Sequence, residues 1–304
     1  MTASGFALNA TTTMPAVGFG TYLISDNAAD DAVMAAIETG YRHIDTAQGY
    51  QNERGVGEGV RAGTKAAGLE REDIFVTTKL WPGNPAWGQE AADGPATVAA
   101  FENSLAALGF DYVDLYLIHA PYGGERRIAQ WEALLELKEK GQARAVGVSN
   151  YTSDHLAEIR DAGLPMPEAN QVELHPWSQK PELIADLREL GIQPIAYSSL
   201  APLSTWRVEP GQDSGKSEDM KSGDAAAPFA EMAEKYGVSE AQLLLRWGVQ
   251  NGYGILPKSL NPVRMSQNLD LFSFEIDADD MARMRQMDRG TSIAWATGDP
   301  SQVD

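Results

Sequence analysis

The chain has 304 residues, 43% of them hydrophobic and 8% aromatic, enough apolar material for a sizeable core. Its 43 acidic residues outweigh 24 basic ones for a formal charge of −19, a field that repels nucleic acid and anionic membrane surfaces. Cysteine is absent, the opening MTASGFALNA has no leader-like basic flank, and no apolar run nears the ~18 residues of a membrane span. Disulfides, thiolate catalysis, export and membrane insertion are therefore not expected, and a cytoplasmic location is.

Taken in order, short β-branched or apolar runs fall at 16–19, 43–46, 74–78, 113–118, 144–149, 169–173, 193–198 and 253–256. Helical patterns follow them near 27–39, 52–66, 95–108, 127–140, 152–162, 180–190, 239–250 and 261–269. The stretch 127–140 shows the helical spacing well, with Ile128, Trp131, Leu134, Leu135 and Leu137. Alternation of this kind predicts a parallel sheet with crossover helices. Eight repeats are the number that closes a barrel, so the expected fold is an α/β protein, a (β/α)₈ TIM barrel spanning 1–304 as a single domain.

Two segments exceed the repeat. Residues 206–225 form a long polar loop after the seventh strand, where a barrel enzyme places lids, and 278–287 read as an extra C-terminal helix. The run Gly57-Glu58-Gly59-Val60-Arg61-Ala62 fits a dinucleotide-binding pattern only formally. It lies inside a helical stretch rather than at a strand-to-helix turn, and is discarded.

In a barrel the residues at the C-terminal strand ends converge on one face. Here they are Asp45 after strand two, with Tyr50 in its loop, Lys79 after strand three and His119 after strand four, followed by Ser149, Asn150, Gln171, Tyr197 and Ser198. A tyrosine loses its proton at about pH 10, too high for an efficient acid at neutrality. A lysine ammonium ~4 Å away, at an effective dielectric of ~20, would favour tyrosinate by roughly 4 kcal/mol, bringing that value to about 7. A buried lysine needs a counter-ion, which Asp45 supplies. Neutral His119 can orient a carbonyl. Such a set protonates an alkoxide as hydride arrives, and since no side chain donates hydride, a nicotinamide is implied.

The blocks GFGTY (18–22), GYRHIDTAQGYQNE (40–53), TTKLW (77–81), DLYLIH (114–119), VGVSN (146–150), NQVELHP (170–176) and LPKSLNPVRMSQNL (256–269) resemble the aldo-keto reductases, the bacterial 2,5-diketogluconate-reductase-like members in particular. The resemblance runs in order over nearly the whole chain. It implies an NADPH-dependent reductase of aldehydes or ketones, a monomer, with Asp45, Tyr50, Lys79 and His119 catalytic and Tyr50 the proton donor. It further implies that Tyr197 stacks on the nicotinamide and that Ser149, Asn150 and Gln171 bond its carboxamide. Gly20, Thr21, Tyr22, Ser198 and Leu200 complete that surface. Lys258, Ser259 and Arg264 would hold the 2′-phosphate, with Gln267 and Asn268 near the adenine. Tyr22, Trp81, His119 and Ala120 would line the substrate pocket.

There are departures. Ala120 and Tyr22 stand where the family often has tryptophan, and the loss at Ala120 should open that side of the pocket. Ser198-Ser199-Leu200-Ala201 differs from the usual Ser-Pro-Leu-Gly, and Gln267 replaces a common acidic contact. Among other residues, His43 and His175 read as structural, His155 as an exposed helix residue, Trp81 as pocket wall and Trp206 as a loop aromatic. A metal-dependent barrel hydrolase built on His43, Asp45, Lys79, His119 and His175 is the first rival, weakened by the lack of a His-x-His pair and the small number of histidines; no metal is expected. A catalytically inactive, cofactor-sensing member of the same family is the second.

Overall fold

A computed structural model describes residues 5–203, 228–295 and 299–302. The loop 206–225 expected to act as a lid, and Trp206 within it, lie outside the described residues. Among those residues the parallel strands are β3 (Phe19–Gly20), β4 (His43–Asp45), β5 (Phe75–Leu80), β6 (Val113–Ile118), β7 (Ala143–Ser149), β8 (Ala169–Glu173), β9 (Gln193–Tyr197) and β10 (Gly254–Ile255). Each pairs with its neighbour in chain order. Val17 bridges Ile255 in parallel, and Gly18 N to Ile255 O (2.8 Å) and Ile255 N to Ala16 O (2.9 Å) join the last strand to the first. The expected TIM barrel is therefore observed and closed. The outer strands are shorter than the expected 16–19 and 253–256, because there the closure runs through isolated backbone bonds rather than a continuous ladder.

Ahead of the barrel, β1 (Gly5–Ala7) and β2 (Thr13–Pro15) form an antiparallel hairpin that the sequence reading did not foresee. It delivers Leu8 and Met14 to the barrel's closed end, where they pack with Phe75, Leu115, Leu117, Ala145, Ala169 and Ile195. Period-two alternation sends the other parity outward. Val76, Tyr116, Ile118, Val146 and Val148 join the larger core beneath the helices. The inward parity changes character along each strand, from Phe75 to Lys79 on β5 and from Ala169 to Gln171 and Glu173 on β8. This gradient places the polar residues at one mouth.

The helices are α1 (Asp26–Thr39), α2 (Glu53–Ala67), α3 (Gly94–Leu108), α4 (Arg127–Glu139), α5 (Ser153–Asp161), α6 (Pro181–Glu189), α7 (Pro228–Tyr236), α8 (Glu240–Gln250), α9 (Pro262–Leu269) and α10 (Ala278–Arg285). The C-terminal helix α10 agrees with the expected extra element. Helix α7 was not anticipated, although Phe229, Met232 and Ala233 carry a helical spacing and are buried. On α2 the discarded glycine pattern has a packing explanation. A Cβ on Gly55 would lie 2.1 Å from Asp26 O, one on Gly59 2.5 Å from Asp30 O, and one on Gly57 1.9 Å from Leu108 O. These glycines let α2 wedge against α1 and the end of α3.

His155, expected to be exposed, is buried at the start of α5. Its Nδ1 accepts from Thr152 N (3.1 Å) in a reciprocal cap, a local bond that pulls the ring in. His43 is a core residue, its Nε2 2.9 Å from Thr77 Oγ1. Among the described residues no helix is long and apolar enough to cross a membrane.

Candidate active site

The mouth at the C-terminal strand ends opens into a cavity of about 720 Å³. Asp45 ends β4 and Lys79 lies one residue from the end of β5, both inward-facing and buried; Lys79 is 0% exposed. Lys79 Nζ donates to Asp45 Oδ1 at 2.6 Å, to Thr46 O at 2.9 Å and to Tyr50 OH at 3.4 Å. Gln171 Nε2 donates to the other Asp45 oxygen at 2.9 Å. Tyr50 ends a single 3₁₀ turn, Gln48–Tyr50, and its ring centroid lies 5.5 Å from that of His119. The four expected residues are thus brought together.

The loop carrying Tyr50 is fixed from below by Asn52, which the sequence reading passed over. Asn52 accepts from Thr46 Oγ1 (2.7 Å) and donates to Thr21 O (3.0 Å) and Ile24 O (2.9 Å). Thr21 in turn gives its hydroxyl to Asp45 O at 2.9 Å. A fully satisfied buried amide of this kind holds one loop geometry.

The electrostatics correct one expectation. Tyr50 is not brought toward neutrality: burial pushes its pKa well above 10.0, with Asp45 and Tyr22 adding to the rise. Burial is the main cause, and the nearby cation, Lys79, is itself paired with Asp45 at 2.6 Å and does not offset it. Burial also lowers the Lys79 pKa, against the opposing pull of Asp45. His119 is held well below 6.5 by burial and then by Lys79, so it is neutral, as expected.

Beside these residues Ser149, Asn150, Gln171 and Tyr197 line the same cavity with Gly20, Tyr22, Ser198, Leu200 and Lys258. Tyr197 OH donates to Asn150 Oδ1 at 2.7 Å, and Asn150 Nδ2 donates to His119 O at 3.0 Å. Ser149 Oγ donates to Gln171 O at 2.7 Å. At the far end Ser259 is buried with Arg264 Nε 3.4 Å from its hydroxyl, while Arg264 and Gln267 are exposed. Asn268 is buried, close enough to Tyr41 to bond its hydroxyl.

On the other side Trp81 is 5.9 Å from His119, centroid to centroid, and stacks on Trp87 at 5.8 Å. Its indole nitrogen donates to Gln89 Oε1 at 2.8 Å. Ala120 is fully buried and does not line the cavity, so the expected opening there is not found. Trp295 brings an indole to that side, 6.1 Å from His119 and 6.2 Å from Tyr122. It was missed because it lies in the tail after α10, where no periodic signal points to the barrel; the short apolar run Ile293-Ala294-Trp295 was the available hint. His175 is buried against Glu173, Nε2 to Oε1 2.9 Å, in a structural role. Among the described residues no group of three His, Asp or Glu side chains is placed to hold a metal ion.

The sequence pattern of the Aldo/keto reductase family matches residues 16–289. Morphine 6-dehydrogenase of Pseudomonas putida is 39% identical over 299 residues, covering 98% of this chain and 94% of that protein. A 9,11-endoperoxide prostaglandin H2 reductase of Trypanosoma cruzi is 39% identical over 289 residues, 94% of this chain and 91% of that protein. The Bombyx mori aldo-keto reductase solved in complex with NADP superposes with a TM-score of 0.84 at 32% identity, over 98% of this chain and 96% of that one. Fold, strand-end residues and these relatives agree, and the chain belongs to the Aldo/keto reductase family, whose members are NAD(P)H-dependent oxidoreductases.

Proposed function

We propose that this protein reduces an aldehyde or ketone to the alcohol with NADPH, Tyr50 supplying the proton. The observation that carries the reading is the chain Asp45–Lys79–Tyr50, at 2.6 and 3.4 Å, facing His119 across an aromatic-walled cavity. The cavity suits a dinucleotide. It is continuous from Tyr50 to Lys258, and Ser199 Oγ, on its wall, is buried with no protein partner. A bound nicotinamide dinucleotide would supply the hydride. Tyr197 and the amides of Asn150 and Gln171 would hold its ring end. Lys258, Ser259 and Arg264, the basic group on this side of an otherwise acidic chain, would hold a 2′-phosphate, which favours NADPH over NADH.

Neutral His119 presents a ring N–H to the carbonyl oxygen and sets its direction. Tyr50 OH delivers its proton to that oxygen as negative charge builds there. The high pKa of Tyr50 keeps the proton in place until that moment, and Lys79 Nζ then faces the tyrosinate. Asp45 keeps Lys79 charged, and Trp81 and Trp295 shield the site from water.

The test is NADPH oxidation by the parent and Tyr50→Phe against aldehydes, α-keto acids, keto-sugars and steroid-like ketones. At least one class should be turned over by the parent. Tyr50→Phe should retain under a few per cent of that rate while binding NADPH with unchanged affinity. A variant with near-parental turnover overturns the assignment of Tyr50.

A further inference from the structure

The mechanism leaves a fully buried carboxylate without a role. Glu173 ends β8, two residues beyond Gln171 on the same inward parity, and is 0% exposed. Its two oxygens take consecutive backbone amides of the C-terminal tail, Oε1 from Ile293 N at 2.7 Å and Oε2 from Ala294 N at 2.9 Å. His175 Nε2 braces Oε1 at 2.9 Å. The next residue is Trp295, whose indole N–H reaches Tyr197 OH at 3.0 Å and whose ring stands 6.1 Å from His119. Nearby bonds seat the same tail: Lys180 Nζ to Ser292 Oγ at 2.8 Å and Arg289 N to Trp177 O at 3.0 Å.

We propose that Glu173 is a positioning residue that sets substrate specificity by clamping the tail so that Trp295 forms one wall of the pocket; this rests on the carbonyl-reductase reading above. Tails are poorly ordered unless tied down. Here the tie is a buried group on the strand that also carries Gln171, so the wall is fixed in the frame of the cofactor surface. The geometry demands a carboxylate. A glutamine offers one oxygen and one NH₂ group, so one of the two amides would face a donor instead of an acceptor. Trp81 and Trp295 present ring edges beside His119, with Tyr122 packed against both, and this wall favours flat aromatic carbonyl compounds over small aliphatic ones.

The experiment compares parent, Glu173→Gln, Trp295→Ala and the double variant with para-nitrobenzaldehyde and propionaldehyde. Glu173→Gln should raise the ratio of the aromatic to the aliphatic KM about tenfold, whatever loss the two aldehydes share. Trp295→Ala leaves the buried carboxylate intact, and should reproduce that split. In the double variant the effects should not add, because both act through one wall. Additive effects, or equal losses on both aldehydes, overturn the proposal. Hydrogen exchange supplies a readout free of turnover: the Ile293 and Ala294 amides should exchange about a hundredfold faster in Glu173→Gln, and unchanged exchange overturns the clamp. A parent that reduces no carbonyl refutes the functional reading, and the exchange result then decides the clamp by itself.

Discussion

The pairing of Lys79 with Asp45 makes a prediction that separates stability from catalysis. Lys79→Met is close in shape but removes the ammonium. Asp45 Oδ1 loses its 2.6 Å partner and Thr46 O loses a 2.9 Å donor, while Gln171 Nε2 still donates to Oδ2 at 2.9 Å. A carboxylate is then left buried and uncompensated, which costs about 3–5 kcal/mol, a large part of the roughly 5–15 kcal/mol of a typical domain. Adding Asp45→Asn removes that charge while its carbonyl oxygen can still accept from Gln171. The double variant should recover about 2 kcal/mol or more relative to Lys79→Met, the residual loss being unmet hydrogen bonds at Thr46 O and the new amide.

Catalysis should not recover with stability. In both variants Tyr50 has no cation facing its hydroxyl, so reduction should stay at least about a hundredfold below the parent, a loss in the range of general acid catalysis. The assay is guanidinium unfolding at pH 7 followed by NADPH oxidation at matched protein concentration. If Lys79→Met costs under about 1 kcal/mol, or Asp45→Asn fails to relieve it, the buried charge is not what the pair neutralises and the reasoning fails.

Other outcomes follow from the same geometry. Carbonyl reduction should show no step in kcat at the ordinary histidine value of 6.5, because burial holds His119 well below it, and any alkaline limb should follow Lys79, which burial lowers from 10.5, rather than Tyr50, which burial raises; a step near 6.5 would contradict it. His43 falls from 6.5 to about 4 on burial. The unfolded chain therefore binds a proton the folded one refuses, and stability drops by about 3 kcal/mol as pH falls through that interval. His43→Gln should flatten this slope in acid titrations followed by circular dichroism, and an unchanged slope would show that other groups set it. Arg264→Ala should narrow the preference for NADPH over NADH by about tenfold, since one charge-assisted contact contributes about 1.5–3 kcal/mol; equal losses in fluorescence titrations of both cofactors would remove Arg264 from the 2′-phosphate site.

What could be read in the sequence and what could not divide along one physical line. Strand parity is local. Once the strand at 74–78 is placed, the inward positions continue to Lys79, and the same count reaches Asp45, His119, Ser149 and Gln171 on other strands. The site was legible because a barrel turns that count into proximity without further information. Glu173 obeys the same parity, yet its partners are the amides of Ile293 and Ala294, more than a hundred residues away. No spacing rule links them, so neither the clamp nor the wall that Trp295 builds beside His119 could be seen. Tyr50 shows the complementary failure. Lys79 was correctly expected beside it, but a pairwise Coulomb estimate treated the ammonium as free. With the ring buried, and with Lys79 already paired to Asp45 at 2.6 Å, the sign of the shift reverses. A site built from a neutralised pair keeps its acid protonated in the resting state. The catalytic demand on Lys79 then falls after proton transfer, when it faces the tyrosinate, and that is the step at which Lys79→Met should be slow.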